Sequence, residues 1–135
     1  MKSKYVVVDL ETTGNNPKNG DRIIQIAAIV IEQGKIIDQY SSYINPERMI
    51  PPFIQELTGI KNSDVENAPT FKDLAPYIIG ILDEAVFVAH NVLFDLTFLQ
   101  AELERVGYER FLGDTVDTVE LAKIINPQVS SFRLE

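Results

Sequence analysis

The run from Tyr5 to Val8 is apolar and leads into two carboxylates with one residue between them, Asp9 and Glu11, followed by Thr12, Thr13 and Gly14. A short apolar run of this kind reads as a buried strand. Side chains alternate along a strand, so Asp9 and Glu11 share one face, about 6.7 Å apart at the backbone, which is two strand rises. Flexible carboxylates on that spacing can reach toward one divalent ion or a close pair. Thr12, Thr13 and Gly14 turn the chain and are expected to leave backbone groups exposed beside the acids. Two readings fit these residues alone: a strand end stopped by solvated acids, and a metal site at the end of a strand.

With 135 residues, 45% of them hydrophobic and 24% charged, the chain falls in the range of one domain with one core. No apolar stretch approaches the roughly 20 residues that a membrane helix needs, and Met1 leads into the first strand without a signal-peptide pattern. The absence of cysteine excludes disulfides and thiolate metal sites and fits a reducing compartment. The expectation is a soluble, cytoplasmic chain with no membrane partner. A net charge of -8 argues against a broad basic face for nucleic acid. It leaves a nucleic-acid enzyme open, because exposed charges are screened beyond about 8 Å and clustered acids become electropositive once loaded with divalent cations. Such a chain steers nucleic acid poorly, so a basic partner or tethered binding module is expected.

Strands and helices alternate along the rest of the chain. After a polar loop from Asn15 to Asp21, the nearly unbroken apolar run Ile23 to Ile31 reads as a central strand. Glu32, Gln33 and Gly34 read as a tight turn, and Lys35 to Ile44 returns beside it until Asn45 and Pro46, giving three antiparallel strands. Pro51 and Pro52 before Phe53, Ile54 and Leu57, with Gly59 after, match a short helix. Thr70 and Asp73 resemble a capping box for a helix through Phe71, Leu74, Ile78 and Leu82, with Pro76 able to bend it. Ala85 to Ala89 is a further buried strand. His90 and Asn91 are expected to cap a helix running to Gly107, with Leu93, Leu96, Leu99, Leu103 and Val106 facing the sheet and Asn91, Asp95 and Phe98 on another stripe. Asp117 and Glu120 read as a capping box for a helix through Leu121, Ile124 and Ile125. The simplest account is one α/β domain over residues 1–135, without repeats or linkers.

Asp95 has two readings. An acid in the first turns of a helix is favoured by the helix dipole. Yet a helix that follows a strand starts at the carboxyl edge of the sheet, where α/β proteins gather their sites, and Asp9 and Glu11 lie at such an edge. Three converging carboxylates describe a magnesium or manganese site better than a zinc site.

Four segments carry a family resemblance: Asp9, Leu10, Glu11, Thr12, Thr13 and Gly14; Leu57, Thr58, Gly59 and Ile60; His90, Asn91, Val92, Leu93, Phe94 and Asp95; Asp117 and Thr118. In order and spacing they resemble the DEDDh exonucleases, over essentially the whole chain. The likeness is strongest to proofreading-type modules related to the DNA polymerase III epsilon subunit, and especially to the module at the amino end of bacterial DinG-type helicase-like proteins. The resemblance implies a ribonuclease H-like fold: a mixed sheet of three antiparallel strands plus parallel strands, flanked by helices. It also implies removal of nucleotides from the 3′ end of DNA or RNA, single-stranded DNA above all, releasing 5′-monophosphates. By position, Asp9, Glu11 and Asp95 would be catalytic and hold two ions, Mg2+ or Mn2+, about 3.5 to 4 Å apart. Leu10, Thr12 and Thr13 would meet the terminal nucleotide, Leu57 and Thr58 would pack near its base, and Phe98 would line the same pocket. A helicase-like ATPase module or a polymerase would be the attached partner.

His90 is the single histidine. The family places its general base in a third motif, with an aspartate five residues later, so His90 reads with Asn91 as support for the helix start. After Asp117 neither a histidine nor an aspartate follows. The domain is therefore expected to lack its third motif within these 135 residues, as a truncated chain, a proteolytic fragment or part of a longer protein, and to be nearly inert by itself. Ser131 to Leu134 reads as a cap and first helical turn. Three other readings compete: a non-catalytic module of the same fold for nucleic-acid ends or protein partners, a stand-alone proofreading subunit similar to polymerase III epsilon, and a metal-dependent phosphotransfer enzyme for small substrates. No phosphate-cradling glycine loop supports the last.

Overall fold

A computed structural model describes residues 4–119. Five strands form one sheet in the order β3-β2-β1-β4-β5. β1 (Lys4–Thr12), β2 (Ile23–Glu32) and β3 (Lys35–Tyr43) are antiparallel neighbours, with a tight turn between β2 and β3, while β4 (Val86–Ala89) lies parallel to β1 and β5 (Thr115–Asp117) parallel to β4. The antiparallel trio and the added parallel strands agree with the sequence reading. The expected helices at Leu121–Ile125 and Ser131–Leu134, and Glu120 as a capping partner, lie outside the described residues.

β1 extends further than its apolar run suggests. Asp9 and Glu11 are inside the strand, paired with Ala27 and Gln25 of β2, and the register shifts only after Glu11. Val6, Val8 and Leu10 alternate with these acids and point into the core. That core is completed by Ile26, Ala28 and Val30 of β2, Phe87 of β4, Phe71, Ala75 and Ile78 of α3 (Phe71–Leu82), and Phe98, Leu99 and Leu103 of α4 (Val92–Arg105). Each large apolar side chain so buried contributes about 1.5 to 3 kcal/mol. α3 opens with the expected reciprocal Thr70–Asp73 box and continues through Pro76.

A smaller apolar cluster joins Ile24 of β2 to Ile50, Ile54, Ile60 and Val65. It seats α1 (Pro52–Thr58) and the one-turn helix α2 (Asn62–Val65) against the end of β2 that pairs with Glu11. Gly59 ends α1 at φ 78°, a conformation that favours glycine. α2 was not legible in the sequence. No helix among the described residues is long and apolar enough to cross a membrane.

The expected face of α4 requires correction. Leu93 is 72% exposed, whereas Asp95 and Phe98, placed on a separate stripe, are buried together with Leu99 and Leu103. Leu96 and Val106 pack at the margin. Residues 95, 98/99, 102/103 and 106 follow the helical period as closely as the leucine series does, and the sheet takes that face, where Glu102 bonds the Ile23 amide and Arg22.

Candidate active site

The parallel register of β1 and β4 pairs Val7 with Val88. Two residues further along each strand stand Asp9 and His90, so the acids of β1 are level with the turn that leads into α4. Asp95 follows in the first turn of that helix. The sheet thus brings together Asp9, Glu11 and Asp95 from positions more than 80 residues apart in the chain.

Their charges are coupled. Burial first, then Asp9 and Glu11, push the Asp95 carboxyl up to about 7. Burial and the neighbouring Asp9 also raise Glu11 above the ordinary glutamate range. Asp95 is only 5% exposed, and among the described residues no donor gives its carboxylate a hydrogen bond. A buried carboxylate facing two others is costly unless a cation or proton joins it.

Glu102, two turns further along α4, shows the opposite treatment. It is 2% exposed, and its carboxylate accepts the Ile23 amide at 3.0 Å and Arg22 Nε at 3.3 Å, with Arg105 also in contact. Arg22 reaches Glu47 as well, at 3.4 Å. Glu102 escaped the sequence reading, although an acid seven residues after Asp95 on an otherwise apolar face was a usable signal.

The loop after β1 is held from within. Thr13 donates its amide to the Arg22 carbonyl and its hydroxyl to Asp21, and accepts the Arg22 amide at 3.0 Å. Thr12 donates its hydroxyl to the Gly14 carbonyl at 2.7 Å. Both threonines are buried, so the exposed backbone groups expected at Thr13 are in fact spent on the loop. Asp21 also accepts the Asn16 amide, an organising role that its place in a polar loop concealed.

The start of α4 differs from expectation too. Asn91 stands at the cap position in the left-handed region, φ 65°, and its side chain caps nothing. Asp117 of β5 supplies the acceptors instead, at 3.3 Å from the Asn91 amide and 3.4 Å from that of Val92, while also accepting the Val119 amide at 2.9 Å. His90 is half-buried, with Nδ1 3.3 Å from the Thr118 hydroxyl.

The remaining candidates divide by exposure. Leu10 is in the core, and the Thr58 hydroxyl is engaged with the Ile54 carbonyl and the Ile60 amide. Leu57 is 72% exposed on the outer face of α1, one turn from the equally bare Phe53. Phe98, its ring centre 5.0 Å from that of Phe94 and tilted to it, lines a cleft of about 300 Å³ between α4 and the loop at Asn15 and Pro17. A larger cavity of about 550 Å³ lies at the start of β4, by Ala85 and Phe111, away from the acids.

An all-oxygen, three-carboxylate set suits hard divalent cations. Among the described residues no three such side chains close into a cage around a single ion. The three acids suit such a cation only as an open site, and the observation that favours it is the buried Asp95, whose carboxylate accepts no hydrogen bond among the described residues.

A family model for exonucleases matches residues 6–134. The chain belongs to the exonuclease family. It is 50% identical over 133 residues to the 3′-5′ exonuclease DinG of Bacillus subtilis, covering 98% of this chain and 14% of the relative. It is 42% identical over 130 residues to the protein of that name from Staphylococcus epidermidis, covering 96% and 14%. The chain thus spans about one seventh of these relatives. Among solved structures, a zinc-bound complex of E. coli exonuclease I with single-stranded DNA superposes with a TM-score of 0.83 at 19% identity, over 98% of this chain and 32% of that one. That likeness establishes the ribonuclease H-like fold of the exonuclease domain.

Proposed function

We propose that this exonuclease domain hydrolyses the terminal phosphodiester bond at the 3′ end of single-stranded DNA, as part of a longer, cytoplasmic protein with a helicase-like ATPase module. The observation that carries the reading is the convergence of Asp9, Glu11 and the buried Asp95, which accepts no side-chain hydrogen bond among the described residues, at one end of the sheet in a chain that belongs to the exonuclease family. Asp9, Glu11 and Asp95 would hold two Mg2+ or Mn2+ ions. Two such ions supply an activated water and charge neutralisation at the departing 3′ oxygen.

The chain's own residues do the rest. Thr12 and Thr13 keep the loop beside Glu11 rigid through their internal bonds, so the acids meet the scissile phosphate in a fixed frame. Leu57 offers an exposed apolar surface to the terminal base, and the cleft at Phe98 accepts flat or apolar groups without reading sequence. Asp117 holds the turn into α4 through the Asn91 and Val92 amides, and His90 in that turn meets the Thr118 hydroxyl.

The full-length parent protein is the test. With Mg2+ or Mn2+ it is expected to shorten 5′-labelled single-stranded DNA one nucleotide at a time and release 5′-monophosphates. Asp9→Ala is expected to remove this activity and leave the melting transition in place. Equal digestion by wild type and variant would sink the assignment, and end-binding without cleavage by the wild type would favour a non-catalytic module.

A further inference from the structure

Asp95 and Glu102 are seven residues apart in α4, so they share one face of the helix about 10.5 Å apart along its axis. Glu102 holds the Ile23 amide and Arg22 from inside the core. Ile23 is the cross-strand partner of Thr12, at the point where the β1–β2 register shifts just after Glu11. One side chain therefore runs from the helix that bears Asp95 to the strand pair that bears Glu11. At its start α4 is also tied to the sheet by Asp117 of β5 at the Val92 amide, and its contacts through Phe98, Leu99 and Leu103 are apolar. Apolar contacts resist separation but are non-directional, so they leave a helix some freedom to rotate and slide. Hydrogen bonds to a strand backbone remove that freedom.

We propose that Glu102 is a positioning residue of the nuclease site: its hold on Ile23 and Arg22 sets the rotation and height of α4 that bring Asp95 to Asp9 and Glu11. The proposal rests on the reading of those three acids as metal ligands. Glu102 touches neither substrate nor ion. It acts on catalysis through the placement of Asp95, where an error of about 1 Å is enough to cost on the order of a hundredfold in rate.

Glu102→Gln keeps an acceptor for the Ile23 amide and removes the charge opposite Arg22. Arg22→Gln removes the other half of the pair. Ile78→Val, on the buried face of α3, serves as a control for stability alone. Each is made in the full-length parent protein and read in two ways: the rise in melting temperature on Mn2+ titration without DNA, and kcat and KM for 3′ digestion. Glu102→Gln is expected to need about tenfold more Mn2+ for half of its thermal stabilisation and to lose about tenfold in kcat, with KM for DNA near wild type. Arg22→Gln is expected to show the same pattern, and Ile78→Val to lower the melting temperature without shifting either readout. Wild-type Mn2+ response in a folded Glu102→Gln protein overturns the positioning role, and if that variant does not fold, a wild-type response in Arg22→Gln does so. Loss of the response in Ile78→Val in proportion to its lost stability also overturns it. Absence of any metal response in the unaltered protein overturns the reading of the three acids, and the positioning role with it.

Discussion

Asp21 fills the space into which a side chain on Gly14 would grow: a Cβ there falls 2.4 Å from Asp21 Oδ2 and 2.7 Å from its Cγ. The carboxylate cannot simply step aside, because it accepts the Thr13 hydroxyl at 2.9 Å and the Asn16 amide at 3.0 Å. Gly14 is thus required by the close approach of a neighbour. Gly14→Ala is expected to cost about 2 kcal/mol through overpacking. Combined with Asp21→Ala it is expected to cost less than the sum of the two, since both changes break the same bonds. Denaturant unfolding of the two single variants and the double variant measures the coupling, and strict additivity would reject it.

Asp95 trades stability for its place in the site. Asp95→Asn removes the charge that burial and two neighbouring acids oppose. Without added metal the variant is expected to be more stable than wild type by about 1 kcal/mol, a shift of a few degrees in a domain of this size. Digestion of DNA is expected to vanish. A less stable variant would mean that the Asp95 carboxylate has a favourable partner in the folded state.

Much of this arrangement was legible because it is periodic or local. The apolar run before Asp9, the alternation that puts Asp9 and Glu11 on one face, the Thr70–Asp73 box and the glycine after α1 follow from two- and four-residue geometry, and the structure reproduces them. Recognition of the site needed more, namely four motifs in family order. What stayed hidden depends on contacts between distant residues. The leucine spacing of α4 suggested a face containing Leu93, and only the sheet selects the face with Asp95 and Glu102. The capping of α4 by Asp117, some 25 residues away, has no local signature, whereas Asn91 at the turn looked sufficient. Asp21 and Arg22 read as loop polarity because their partners, Thr13 and Glu102, are defined by the fold.

Asp117 should behave as the cap of α4. Its carboxylate faces the Asn91, Val92 and Val119 amides. Asp117→Ala is expected to cost about 1 kcal/mol, typical of a lost cap. Amide hydrogen exchange at Asn91 and Val92 should accelerate, while exchange in the middle of α4, at Leu99 for instance, should change only with global stability. Asp117→Asn retains an acceptor and should recover part of the loss. Unchanged protection at Val92 in Asp117→Ala would show that the helix start is held by other groups.

Acidity gives the last test, because the Asp95 carboxyl lies near 7 in the folded chain against an ordinary 3.8. Between about pH 4 and 7 the folded state keeps a proton that the unfolded chain has released, so metal-free stability falls as pH rises through that window and levels off above it. Glu11, also raised, acts with the same sign. Divalent cations bind the deprotonated acids, so their effect runs the other way. The rise in melting temperature caused by Mn2+ is expected to be small near pH 5.5 and to grow toward pH 7.5, with protons released on binding. Melting curves taken across this range, with and without Mn2+, check both trends. In Asp95→Asn the metal-free fall with pH should flatten and the Mn2+ response should shrink at every pH. A metal-free stability that rises through the window in wild type, or is as steep in Asp95→Asn, would remove Asp95 as the group responsible and weaken its assignment as a ligand.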